Sequence, residues 1–166
     1  MTDTRTTVFD PDPPSPGSAA APDGPPPAAP LRERAPDAPV ATAAQARRFV
    51  QQLLHEAGPV TAAGEANALL AVSELVTNAN RHAGGVTAFS ARTETAHPAD
   101  GRPPGLRLRI TVEDADSRLP HSPRRALLDP TRPGGRGWAL VVMLATTCEI
   151  SVLPGGGKRI SVTLPL

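Results

Sequence analysis

The run Ser73-Glu74-Leu75-Val76-Thr77-Asn78-Ala79-Asn80-Arg81-His82-Ala83 decides how this chain folds. At about 100° per residue, Leu69, Val72, Leu75, Val76, Ala79 and Ala83 fall within one apolar stripe, the pattern of an amphipathic helix with its stripe against a core. The helix is expected to begin soon after Thr61, a suitable N-cap, and to end at Gly84-Gly85, as at a C-cap. Glu74, Asn78 and His82 recur at i, i+4 and i+8, so they form a ridge on the side turned away from the stripe. Such a ridge is ordinarily a solvated polar face. It also sets a carboxylate and an amide oxygen one turn apart, which suits chemistry on a Mg²⁺-bound nucleotide. Magnesium takes oxygen ligands, with only one or two from protein, and a Glu beside it can accept a proton.

On either side of this helix the chain divides by composition. It has 166 residues, 39% of them hydrophobic, and a formal net charge of +1, which is room for one domain and little more. Eleven of the 21 prolines lie in the first forty residues. That stretch, with few large apolar side chains, cannot bury enough surface to offset its chain entropy. Residues 1–39 therefore read as a disordered tail and residues 40–166 as the domain. A single cysteine, Cys148, rules out an internal disulfide and a cysteine zinc site. No signal-peptide pattern and no apolar run of about 18 residues is present, so a cytoplasmic protein without a membrane span is expected. Basic residues are matched by acidic ones, and with one Trp and no Tyr for base stacking a nucleic-acid binder is disfavoured.

The remaining elements follow from periodicity. Ala46, Phe49, Val50, Leu53 and Leu54 predict a first helix from Ala41 to Ala57, stopped by Gly58-Pro59. Val86 to about Arg92 reads as a strand, and Thr95 to Gly105 as a loop. Leu106, Leu108, Ile110 and Val112 alternate with Arg107, Arg109, Thr111 and Glu113, a strand with one wet face. Pro123 to Leu128 reads as a short helix. Trp138, Leu140, Val141, Val142, Leu144 and Ala145 predict a third main helix. Cys148 to Leu153 and Arg159 to Leu164 are strands joined by the hairpin signal Pro154-Gly155-Gly156-Gly157. Helices in separate runs and strands joined by hairpins indicate an α+β fold, a two-layer sandwich with helices on one face of a mixed, mostly antiparallel sheet.

Two further stretches carry chemistry. Gly134-Gly135-Arg136-Gly137 heads the third helix, where glycine lets a phosphate approach the backbone and the helix start offers free N–H groups. It is not a dinucleotide fingerprint, and Gly155-Gly156-Gly157-Lys158 is not a P-loop, because Val152 stands where the first glycine would and Arg159 replaces the Ser or Thr. Asp114, at the end of an alternating strand, is either a turn former or an acceptor for a purine amine. His82 is either a residue complementing the helix C-terminus or a catalytic base.

Taken in order, Glu74-Leu75-Val76-Thr77-Asn78-Ala79 with His82, Val112-Glu113-Asp114, Gly134-Gly135-Arg136-Gly137-Trp138-Ala139-Leu140 and Gly157-Lys158 leading to Leu164-Pro165 resemble one family. It is the ATPase domain shared by histidine kinases, Hsp90, gyrase and MutL, and the chain is most similar to the short anti-sigma-factor serine/threonine kinases within it. The resemblance implies a Bergerat-type fold with a lid from about Ser117 to Pro133. It implies ATP and Mg²⁺ as cofactors, Asn78 as the metal ligand and Glu74 as the catalytic residue polarising the attacking hydroxyl. Asp114 would accept the adenine amine, Gly135 and Gly137 would present backbone N–H groups to the phosphates, and His82 and Arg136 would be further cofactor-binding residues. Its implied partners are a sigma factor and an anti-sigma-factor antagonist protein, with homodimerisation left open. The chain departs from the family where Asp116 and Arg118 stand in place of glycines and Lys158 in place of a common Thr. Two functions therefore stay open, a kinase acting on the antagonist and a nucleotide-gated binding protein without useful catalysis.

Overall fold

The computed structural model describes residues 5–7, 34–96, 104–120 and 136–166. The elements run β1 (Arg5–Thr7), α1 (Ala43–Ala57), α2 (Ala62–His82), β2 (Val86–Ala96), β3 (Gly105–Asp114), α3 (Arg136–Leu144), β4 (Thr147–Val152) and β5 (Lys158–Pro165). The helix expected over Pro123 to Leu128, most of the expected lid, and Gly134 and Gly135 lie outside the described residues.

The first two helices start where the sequence supplies a cap. Thr42 accepts from the Gln45 amide while the Gln45 side chain accepts from the Thr42 amide, a capping box that satisfies two free donors at once. Thr61 caps α2 as its sequence predicts, its hydroxyl oxygen accepting from the Gly64 amide at 2.9 Å. At the other end the Ala83 and Gly85 amides both donate to the Ala79 carbonyl, and Gly84, at φ +73°, turns the chain toward β2.

The sheet has the order β1-β4-β5-β3-β2, and every described pairing is antiparallel. Alternation decides its two faces. Leu108, Ile110 and Val112 of β3 and Ile160, Val162 and Leu164 of β5 are buried in one cluster with Val50, Leu54, Val72, Leu75, Val76 and Ala79 of the helices. Phe49 of α1 meets Phe89 of β2 edge-on, ring centroids 5.8 Å apart, which ties the outer helix to the edge of the sheet. The opposite face carries ion pairs, Arg109 with Glu149 and Arg159 with Glu113, as the alternation in β3 predicts.

The segment expected to be a tail touches the sheet at two places. Arg5–Thr7 pairs with β4 at one edge, and Arg34 exchanges backbone hydrogen bonds of 3.0 and 2.9 Å with Ala91 on β2 at the other. Composition conceals this, because three residues added to an exposed strand need backbone donors and acceptors, not an apolar pattern of their own.

Register places the site. Val86 pairs with Asp114 and Asp114 with Lys158, so the start of β2, the end of β3 and the start of β5 form one row across an end of the sheet. The C-terminus of α2 leads into that row through Gly84 and Gly85.

Candidate functional site

The first half of the site is the meeting of α2 with the head of α3. Trp138, Ala139 and Val141 are buried and seat α3 in the core, which brings its second residue, Gly137, against α2. A Cβ on Gly137 would overlap the Glu74 carboxyl group. A side chain at this position would have to displace the Glu74 carboxylate, and the close approach sets an anionic side chain at a helix N-terminus, where the macrodipole favours negative charge. The ridge on α2 is therefore not uniformly a solvated face. Glu74 and Asn78 are half-buried, whereas His82, in the last turn, is exposed. The structure brings Glu74 to Gly137, leaves Arg136 exposed at the first position of α3, and does not describe Gly135.

The second half is the end of β3. Asp114 is 5% exposed and is both a turn former and half of a buried ion pair. Its Oδ1 accepts from Lys158 Nζ at 2.9 Å and from the Asp116 amide at 2.9 Å. Lys158, 6% exposed, also donates to the Asp116 carbonyl at 2.8 Å. Both charges are buried, and a buried charge is tolerable only when paired and hydrogen-bonded. The turn before Lys158 is held by Gly157, at φ +87°, whose Cα lies so close to the Asp114 carbonyl that a Cβ would collide with it. Beside the pair, hydrogen bonds from the Arg118 side chain and backbone hold the Asp116 carboxyl down to about 2.

Sequence reasoning named Asp114 and missed Lys158 as its partner. The signal was the two strands' shared register, which joins residues 44 apart and cannot be read from either strand alone. Cys148 is inert by comparison, since burial and then Glu149 push its thiol up to about 11.

The donors present fit a magnesium-bound nucleotide. Asn78 offers an amide oxygen one turn from the Glu74 carboxylate, and the described residues hold no group of three or more His, Cys, Asp or Glu that could bind a metal unaided. A cation here would take its remaining ligands from phosphates and water.

The sandwich and the two ends of this site define a nucleotide-binding domain of α+β build. The chain belongs to the histidine kinase-like ATPase domain family, whose model matches residues 36–164. Membership carries ATP binding with it. No curated protein matches the chain. No helix among the described residues is long and apolar enough to cross a membrane.

Proposed function

We propose that the protein is an ATP-dependent serine/threonine kinase of the anti-sigma-factor type, which binds a sigma factor and phosphorylates a small antagonist protein. One observation supports this above the others: the Glu74 carboxylate stands against Gly137 at the head of α3. A triphosphate bound by the N–H groups at that helix start would put its terminal phosphorus beside a proton acceptor.

In this reading Glu74 takes the proton of the antagonist's hydroxyl as its oxygen attacks the γ-phosphorus. The bond from that phosphorus to the β,γ-bridging oxygen breaks, and ADP leaves with the electron pair. Asn78 holds the Mg²⁺ of the nucleotide, which when bound offsets phosphate charge. The backbone of Gly135 and Gly137, with Arg136 and His82 flanking, receives the phosphates, and Asp114 accepts the amine of adenine. Positioning and charge neutralisation supply most of the rate, as in phosphoryl transfer generally. The domain at 40–166, a cytoplasmic location and the two protein partners belong to the same proposal, with homodimerisation left open.

The test is transfer of labelled phosphate from ATP to candidate antagonist domains. Glu74→Gln is expected to lower transfer by roughly 10²-fold or more while ATP still binds, and Asn78→Ala to abolish the Mg²⁺-dependent part of ATP affinity. No transfer to any antagonist, with wild type and Glu74→Ala alike, would overturn the kinase. A second reading, a nucleotide-gated binding protein without transfer, would then stand. It is favoured by the same contact, because Glu74 already occupies the helix start that a phosphate must share.

A further inference from the structure

The geometry points to Lys158 as the residue that sets base specificity, by leaving Asp114 a single accepting oxygen and so selecting a 6-aminopurine over a 2-amino-6-oxopurine. This rests on the nucleotide-binding reading of the site and adds to it a residue that discriminates between bases.

An ionised carboxylate has about four lone-pair positions, two on each oxygen. Both positions on Asp114 Oδ1 are taken, one by Lys158 Nζ at 2.9 Å and one by the Asp116 amide at 2.9 Å. Oδ2 accepts nothing among the described residues. No fully buried side-chain oxygen or nitrogen among them lacks a partner, so Oδ2 is not completely sealed in. Asp114 as a whole is only 5% exposed, and the opening is correspondingly narrow. Lys158 cannot swing aside at little cost. Its second bond, to the Asp116 carbonyl at 2.8 Å, fixes the ammonium, and the Gly157 backbone pressed on Asp114 fixes the turn.

One free oxygen suits one donor. An adenine edge presents its 6-amine beside a ring acceptor, and Oδ2 alone satisfies that amine. A guanine edge presents two parallel donors, N1–H and the 2-amine, which a carboxylate meets best with both oxygens. With Oδ1 filled, one guanine donor would be desolvated without a partner, and an unmade buried hydrogen bond is costly. Lys158 therefore acts as a positioning residue that converts a two-oxygen fork into a one-oxygen acceptor.

The experiment measures affinities of the full chain for ATP, GTP and ITP, the last being the oxopurine without a 2-amine, in wild type, Lys158→Met and Lys158→Arg. Wild type is expected to prefer ATP and to bind ITP at least as well as GTP, since a 2-amine gains nothing there. Lys158→Met frees Oδ1 and should narrow the ATP:GTP ratio by about tenfold or more, while Lys158→Arg, which keeps the pair, retains it. An unchanged ratio in folded Lys158→Met overturns the inference and leaves ATP binding intact. Should that variant not fold, the wild-type series decides, and GTP binding about tenfold tighter than ITP would show a two-oxygen fork and overturn it. Binding of none of the three by wild type overturns the nucleotide reading itself.

Discussion

The two ends of the site are built in opposite ways. At the head of α3 the geometry depends on a missing side chain, because only glycine at position 137 lets the Glu74 carboxylate lie against the helix. At the end of β3 it depends on an added one, because Lys158 fills the space beside Asp114 and carries the charge that makes a buried carboxylate tolerable. The first end must rearrange on addition and the second on removal. A substitution such as Ala is thus an intrusion in one place and a deletion in the other.

The contrast can be broken by measurement. The largest effect is expected for Asp114→Ala, which strands the buried Lys158 ammonium and should cost about 3–5 kcal/mol in urea unfolding. Asp114→Ala with Lys158→Met should recover most of it, since replacing both charges removes the unpaired one. If the double variant is as unstable as the single, the ion pair is not what holds that end. Next comes Gly137→Ala. The new methyl group must push the Glu74 carboxylate aside, which costs about 1 kcal/mol because it is the movable end of a half-buried side chain, and shifting the carboxylate should reduce phosphate transfer as well. In a Glu74→Ala background the penalty should largely disappear, because the two residues touch and their effects are coupled. An undiminished penalty would show that something other than Glu74 crowds Gly137. The smallest effect belongs to the solvent face of the sheet. Arg159, half exposed, pairs there with Glu113, and Glu113→Gln should change stability by less than about 1 kcal/mol. A loss comparable with that of Asp114→Ala would mean that burial does not separate the two ion pairs.

Much of the fold was legible because periodicity reports it directly. The apolar stripe of α2, the alternation in β3 and the glycine hairpin before β5 each carry their own signal, and the observed elements follow them to within a few residues, apart from β2, which runs on to Ala96. Thr61 is a cap in the sequence and a cap in the structure. β1 was not legible, since Arg5–Thr7 is held by the edge of β4 and has no periodic pattern of its own.

The site divides the same way. Glu74, Asn78, Asp114 and Gly137 could be singled out because their residue types and spacings suggest chemistry. Their neighbours could not. The contact of Glu74 with Gly137 depends on how α3 crosses α2, and the bond from Lys158 to Asp114 depends on strand register. The i, i+4, i+8 spacing treats Glu74 and His82 alike, yet one lies against a helix start and the other is exposed, because α3 covers only part of the ridge.

The contacts made ahead of α1 bear on how the protein behaves in company. Arg5–Thr7 lies along the outer side of β4, and Arg34, which also pairs with Glu56 of α1, is bonded to the outer side of β2. Both rims of the sheet thus meet backbone from the proline-rich stretch. A protein trimmed at residue 36, where the family match begins, would bare the backbone groups covered on β4 by Arg5–Thr7 and on β2 at Ala91, and unpaired strand rims recruit one another. The part that contributes least to the core would then be what blunts each rim at those points against a second copy.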